Sequence, residues 1–220
     1  MRGTIQHPHC SEHFVFFQEV LNNYQMRSNM ETKNIMIVGV GGQGSLLASR
    51  LLGHLLLTEG ADVKVSEVHG MSQRGGSVVT YVRFGDKVYS PVIDRGEADY
   101  IVSFELLEAA RYLPYLKRGG RIVVSTQKID PMPVITGAAS YPEDLVRKLE
   151  DKEALVDAVD GLALARQAGS ARAVNIVLMG RLSGYFDIPA EKWREAIRCL
   201  VPERFRELNL KAFELGRADA

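Results

Sequence analysis

From residue 34 onward, apolar and polar positions follow first a strand period and then a helical one. Residues 35–38 form a short apolar run with the length of a buried parallel strand. Leucines recur at helical spacing over residues 46–55 and predict a helix that ends near Gly60. Residues 63–68 then alternate as a second strand. The three segments together predict a βαβ unit.

The rest of the chain repeats this change of period. Strands are predicted at residues 78–84, 87–90, 100–104, 121–125 and 155–158, and helices at residues 105–116, 162–168, 173–186, 193–200 and from Pro202 to just before Gly216. Gly85-Asp86 reads as a hairpin turn between the strands on either side, and Gly119-Gly120 as the end of the preceding helix. The expected fold is therefore α/β: a Rossmann-like, mostly parallel sheet flanked by helices, with a β-hairpin insertion and a helical C-terminus.

The first 32 residues differ from the rest of the chain. They hold three of the five histidines and a short aromatic patch. The group His7, His9, Cys10 and His13 has a spacing that a metal site can use, but nothing nearby predicts the rigid scaffold that such a site needs. We therefore expect residues 1–32 to be an N-terminal extension outside the fold, residues 33–220 to form one domain, and no metal site.

Composition narrows the class of protein. With 27 basic and 27 acidic residues the formal net charge is zero, which argues against a nucleic-acid binder held by phosphate electrostatics. Two cysteines are too few to ligate an iron–sulfur cluster by themselves, and no disulfide framework is expected. No apolar stretch is long enough to span a bilayer, and the first residues lack a secretory signal, so a cytoplasmic protein without membrane contact is expected.

A glycine-rich turn follows the first strand directly. Gly39, Gly41 and Gly44 fit the G-x-G-x-x-G pattern, whose backbone N–H groups at a helix start can hold a phosphate. Glu67, at the end of the second predicted strand, has the position of the acidic residue of an NAD site. The alternative is that these glycines serve a tight turn and close packing, with no nucleotide bound.

A second loop, residues 66–77, carries an unusual density of functional groups beside that turn. A loop this long in a compact domain is often functional, and Arg74 followed by two glycines can present a cation and free N–H groups to an anion. Alternatively the loop is solvated, with Arg74 paired to Glu67 or Asp94. Neither loop supplies a complete catalytic constellation. The predicted binding residues of the two loops are Gly39, Gly41, Gly42, Gln43, Gly44, Glu67, His69, Met71, Ser72, Gln73, Arg74, Gly75 and Gly76.

The two motifs GVGGQG and SEVHGMSQRGGSV, in this order, resemble the gamma-type subunits of the 2-oxoacid:ferredoxin oxidoreductases. The variant EVHGMSQRGG is most similar to the beta subunits of the indolepyruvate:ferredoxin oxidoreductases. The resemblance extends over residues 34–215 and includes DAVDGLALARQAG and the WREAI helix. Only the N-terminal extension departs from the pattern.

This resemblance implies a subunit of a complex that oxidatively decarboxylates a 2-oxo acid, such as indolepyruvate or another arylpyruvate, to an acyl-CoA with ferredoxin as electron acceptor. It implies that thiamine diphosphate, Mg and the iron–sulfur clusters lie on a larger alpha subunit, and that this chain serves assembly and access of the cosubstrate coenzyme A. Residues 41–44 and 71–76 would then lie near coenzyme A or the partner, with Arg74 on a phosphate or a partner carboxylate. Two other interpretations stay open: a stand-alone NAD(P)-binding Rossmann oxidoreductase and a non-enzymatic interaction module.

Overall fold

The computed structural model describes residues 30–69 and 75–218, and the structural statements below refer to them. Six strands form one sheet in this part of the chain. The strands are β1 (Lys33–Val40), β2 (Asp62–His69), β3 (Ser77–Gly85), β4 (Ala98–Ser103), β5 (Leu116–Ser125) and β6 (Leu155–Val159). The helices are α1 (Ser45–Thr58), α2 (Leu106–Tyr112), α3 (Met132–Ile135), α4 (Leu145–Glu150), α5 (Gly161–Ala168), α6 (Val174–Ser183), α7 (Ala190–Leu200) and α8 (Arg206–Ala218). Short 3₁₀ turns lie at Leu113–Tyr115, Ala171–Ala173 and Glu203–Phe205.

The sheet is mostly parallel, as predicted. Its strand order is β2-β3-β1-β4-β5-β6, and β1, β4, β5 and β6 pair in parallel. In β1 the six central residues are buried, because a parallel strand is covered by helices on both faces. β1 connects through α1 toward one side of the sheet, whereas β4 connects through α2 to β5 on the other side. The carboxyl ends of β1 and β4 therefore form a topological switch point, where ligands of open α/β sheets bind.

Strand β3 changes the predicted connections. It runs antiparallel to both β1 and β2 and lies between them, so the predicted βαβ unit lacks direct pairing of its two strands. The predicted hairpin strand at residues 87–90 was wrong, because β1 and β2 already occupy both edges of β3. Instead the Val88 N–H donates to a carboxylate oxygen of Asp62 at 2.9 Å. The antiparallel hairpin of the fold is β2–β3.

Two apolar cores cover the two faces of the sheet. The larger core lies under α1 and the C-terminal helices and contains the fully buried Trp193 and Phe213. The smaller core lies under α2 and α4 and includes Ile101, Leu106 and Leu149. Helices α3 and α4 were not predicted from the sequence.

Two glycine interpretations need correction. Gly119 and Gly120 lie inside β5 rather than after a helix, since α2 already ends at Tyr112 ahead of a 3₁₀ turn that contains Pro114. Gly216 lies inside α8 rather than after it. A β-carbon on Gly216 would lie 2.0 Å from the carbonyl oxygen of Val177 in α6. This glycine therefore permits close contact of two helix backbones and does not end the helix.

Candidate functional site

The glycine turn joins β1 to α1 as predicted. Gly42 and Gly44 have φ of 102° and 88°, in the left-handed region that favours glycine. Gly44 is the N-cap residue of α1, and none of the described side chains caps this helix end. The first-turn N–H groups of a helix have no partner within the helix and carry its positive dipole end. The turn therefore presents donors and partial positive charge to the solvent beside it.

Gln43 and Gly39 have structural partners within the turn. The Gln43 Oε1 accepts from the Val40 N–H at 2.7 Å, and its Nε2 donates to the Phe104 carbonyl at 3.1 Å. A β-carbon on Gly39 would lie 2.9 Å from Gln43 Oε1 and 3.0 Å from the Phe104 ring. The Gln43 side chain thus links the carboxyl ends of β1 and β4. It fixes the turn and has its amide engaged inside the protein.

The second predicted loop is described only in part. The Gly41 N–H donates to the Gly76 carbonyl at 2.9 Å, which brings the ends of the two motifs together. Gly75 is exposed with φ of 76°. The predicted residues Met71, Ser72, Gln73 and Arg74 and the side chain of His69 lie outside the described residues.

Glu67 lies on β2 and is exposed. Since β3 separates β2 from β1, the strand that carries Glu67 lies two strand spacings, or about 9.5 Å, from β1. In a dinucleotide-binding half the acidic residue ends the strand beside β1, a place that β3 occupies in this fold. One carboxylate oxygen of Glu67 accepts from the Ser45 hydroxyl at 3.4 Å, at the start of α1. The carboxylate thus contacts the helix start and does not take the ribose position of an NAD site.

A cleft of about 420 Å³ opens beside the glycine turn at the switch point. It brings together three predicted residues with five that the sequence interpretation missed. The lining residues are Gly42, Gln43, Gly44, Gln127, Leu162, Ala171, Arg172 and Val174. Gln127 follows β5, so the rule that carboxyl ends of parallel strands share one edge could have indicated it. Arg172 lies in the connection between α5 and α6, and no sequence signal marks it.

Arg172 gives the cleft its charge. It is exposed, and no carboxylate of residues 30–69 or 75–218 forms an ion pair with it. The same residue lines an adjoining cleft of about 480 Å³ with the apolar side chains of Leu47, Phe205 and Leu208. A guanidinium beside a helix N-terminus is suited to binding a phosphate or carboxylate. The apolar cleft next to it can take the less polar part of the same ligand.

Two buried carboxylates at the start of α2 were also missed. Glu105 and Glu108 are 1% and 3% exposed. Glu105 caps α2 by accepting from the Glu108 N–H at 2.9 Å. Glu108 accepts from the Ser77 hydroxyl at the start of β3 and from Arg111. Burial raises the pKa of the Glu108 carboxyl above its ordinary value, against the opposing effect of the Ser77 and Arg111 contacts. Glu108 therefore fastens α2 to the start of β3 beside the glycine turn, whereas Glu105 holds the first turn of α2.

A family model for pyruvate ferredoxin/flavodoxin oxidoreductase matches residues 34–218, nearly the whole described fold. The chain belongs to this oxidoreductase family. It is also 46% identical over 192 residues to the indolepyruvate oxidoreductase subunit IorB of Pyrococcus horikoshii, an alignment that covers 85% of this chain and 95% of the relative. Within the family the chain is a gamma-type subunit of an oxoacid oxidoreductase.

Solved structures of the family share the fold. The gamma subunit of a keto/oxoacid ferredoxin oxidoreductase from Geobacter sulfurreducens superposes with a TM-score of 0.64 at 24% identity, covering 86% of this chain and 98% of that one. The 2-oxoglutarate:ferredoxin oxidoreductase from Magnetococcus marinus, solved with 2-oxoglutarate, coenzyme A and succinyl-CoA bound, has a TM-score of 0.67 at 21% identity. It covers 86% of this chain, whereas this chain matches 31% of its length.

The described residues also bear on membrane contact and metal binding. No helix among them is long and apolar enough to cross a membrane. In the same residues, no cluster of three or more His, Cys, Asp or Glu side chains has the arrangement of a metal site.

Proposed function

We propose that this chain is the smaller subunit of an indolepyruvate-type oxidoreductase that uses ferredoxin. The observation that carries the proposal is the 46% identity to an indolepyruvate oxidoreductase subunit over 95% of that subunit's length. The proposed reaction converts an arylpyruvate, coenzyme A and two oxidised ferredoxins to an arylacetyl-CoA, carbon dioxide, two reduced ferredoxins and one proton.

The proposal assigns the redox cofactors to a larger alpha subunit. Thiamine diphosphate with Mg would supply the carbanion chemistry of decarboxylation there, and iron–sulfur clusters would pass the electrons to ferredoxin. The residues of this chain do not fit a cluster, because it has two cysteines in all and Cys199 lies exposed on α7. We also propose a cytoplasmic location, since two cysteines do not suit the disulfide frameworks of small secreted domains.

In this scheme the cleft at the glycine turn receives coenzyme A. The backbone N–H groups of Gly42 and Gly44 and the Arg172 guanidinium would bind its phosphates, and the adjoining cleft at Phe205 would take its less polar arm. Gln43 would act by holding the turn in place. Gly39, buried against Gln43 and Phe104, would serve the packing of the turn. The remaining sequence candidates are proposed to face the ligand or the partner, namely Gly41, Glu67, His69, Met71, Ser72, Gln73, Arg74, Gly75 and Gly76.

The test is co-expression with a thiamine- and cluster-bearing partner, followed by assay of arylpyruvate-dependent ferredoxin reduction in the purified complex. We expect activity that requires both chains and coenzyme A. Arg172→Ala should raise the KM for coenzyme A and its dissociation constant on the isolated chain about 10- to 100-fold, as expected for loss of one charge-assisted hydrogen bond. Arg166→Ala, an exposed arginine on α5 outside the clefts, is the matched control and should change neither.

Three outcomes would contradict the proposal in different ways. If Arg172→Ala kept the wild-type KM and dissociation constant for coenzyme A, the cleft would not be the coenzyme A site. Thermal stabilisation of the chain by NAD alone would favour a stand-alone Rossmann enzyme. Assembly without any effect of coenzyme A on this chain would leave it as an interaction module.

A further inference from the structure

Residues 131–142, here called the apolar arm, leave the sheet between β5 and α4. Their sequence, PMPVITGAASYP, contains no charged residue, although charged residues make up 25% of the chain. The arm is nonetheless at the surface. Met132 and Ile135, on the short helix α3, are 66% and 65% exposed, among the most exposed large apolar side chains of the described residues.

The buried Glu105 binds the chain just before the apolar arm and the arm's C-terminal end. Its Oε1 accepts from the Ile129 N–H at 3.1 Å and from the Tyr141 hydroxyl, which in turn accepts from the Leu107 N–H at 3.1 Å. Burial and the Glu105 carboxylate raise the pKa of the Tyr141 phenol, so this donor stays protonated.

The middle of the arm is ordered as well. The Thr136 hydroxyl donates to the Met132 carbonyl at 2.9 Å, and the Pro131 and Pro133 rings fix two φ angles. An exposed segment held in this way loses little conformational entropy when a partner covers it.

We infer that the apolar arm is a contact surface for the larger, cofactor-bearing partner subunit, which buries Met132 and Ile135 in the complex. The inference rests on the proposed function for the identity of that partner. The centres of protein–protein interfaces are depleted in charged residues, and the arm contains none. An exposed apolar patch on an otherwise polar surface marks an interaction site.

The position of the arm favours the partner over a second copy of this chain. A stable interface engages about 20–30 residues on each side, so twelve residues need adjoining surface. The rim of the cleft adjoins the arm, because the Gln127 carbonyl at that rim accepts from the Leu106 N–H at 3.1 Å, next to the Glu105 that binds Tyr141 of the arm. A second copy in that place would leave the cleft between two chains that each have two cysteines and no cluster of their own.

The test replaces both exposed side chains, Met132→Asp with Ile135→Asp, in the full chain co-expressed with the thiamine- and cluster-bearing subunit. The matched control is Tyr89→Asp with Val92→Asp, two residues that are 88% and 53% exposed. They follow β3 at the end of the sheet where β1 begins, whereas the arm follows the carboxyl end of β5. The arm variant should bind the partner subunit at least tenfold more weakly, and the control should bind as wild type does. Both variants should keep the wild-type thermal midpoint and the wild-type affinity of the isolated chain for coenzyme A.

Each other result overturns the inference in a recognisable way. If wild type, control and arm variant all assemble equally, the arm is not the contact surface although the proposed function stands. If the isolated wild-type chain is a dimer that the arm variant converts to monomers while the larger subunit still binds, the occupant is a second copy. If no thiamine- and cluster-bearing subunit binds even the wild-type chain, the proposed function fails and this inference with it.

Discussion

The Val177 carbonyl oxygen in α6 occupies the space where a β-carbon on Gly216 in α8 would lie, 2.0 Å away. The contact is reciprocal, since a β-carbon on Gly180 of α6 would lie 2.1 Å from the Phe213 carbonyl oxygen of α8. Gly216 and Gly180 thus let the two helices meet backbone to backbone. Neither neighbour is a flexible side chain that can move aside.

Gly216→Ala should therefore destabilise the fold although alanine is the better helix former. Forcing apart a packed contact costs about 1–3 kcal/mol or more, which exceeds the gain of about 1 kcal/mol in helix propensity. The matched control is Gly53→Ala in α1, where the new β-carbon would have an ordinary contact with Val65 at 3.5 Å. Urea denaturation should show a lower free energy of unfolding for Gly216→Ala and an unchanged or higher one for Gly53→Ala. Equal stability of Gly216→Ala and wild type would contradict the helix contact.

Gln43→Leu should loosen the glycine turn. The substitution leaves the Val40 N–H and the Phe104 carbonyl without the partner they now have, and each partly buried group left unsatisfied costs about 1–3 kcal/mol. We expect a lower midpoint in chemical denaturation together with weaker coenzyme A binding. Gln167→Ala, at an exposed position on α5, should change neither measurement. A loss of coenzyme A binding at full stability would instead mean that Gln43 contacts the ligand directly.

The buried Glu108 should make stability depend on pH. Because its pKa is raised in the folded protein, the folded state binds the proton more tightly than the unfolded state. The stabilising effect of this proton is fully present below the ordinary value of 4.5 and is lost as the pH rises through the raised value. The free energy of unfolding of wild type relative to Glu108→Gln should therefore fall as the pH rises through that range. A difference that instead rises with pH would contradict the assignment.

Asp157→Ala should cost far more stability than loss of a surface ion pair. The Asp157 side chain is 6% exposed and accepts from Arg181 Nε at 2.8 Å and from the Tyr185 hydroxyl. Removing it leaves the Arg181 guanidinium, whose side chain is only 15% exposed, without its counter-charge, a loss of about 3–5 kcal/mol. The exposed pair of Arg118 and Glu153 is the comparison, since Arg118→Ala should cost about 0–1 kcal/mol. Similar midpoints for the two variants in thermal denaturation would show that the Asp157 pair contributes no more to stability than the surface pair.

The local pattern of apolar and polar residues predicted most of the strands and helices, because a strand buried on both faces has a continuous apolar run, as at residues 35–38. The order in which the strands pair has no such local signal in the sequence. Strand β3 reads as any other strand, and its place between β1 and β2 follows from which edges are free once the chain folds. The prediction that Gly216 ends the last helix was wrong for the same reason, since its neighbour Val177 is distant in sequence.

The candidate site divides in the same way. The glycine turn lies on one continuous segment, so its motif could be predicted from the sequence. Gln127 follows β5 and Arg172 follows the helix after β6, so the fold alone brings them to the cleft, and no motif surrounds either. The family resemblance predicted more of the function than any single residue did. The family match over residues 34–218 confirms that resemblance.

The insertion of β3 also sets the order in which the protein can form during synthesis. Both hydrogen-bonding neighbours of β1 lie later in the chain, and the first to be complete ends at Gly85, 45 residues after Val40. At ribosomal rates of about 5–20 residues per second, the apolar β1 waits roughly 2–9 s without a strand to pair with. A strand whose six central residues are buried in the fold is thus the one that the nascent chain must shield longest from unwanted association.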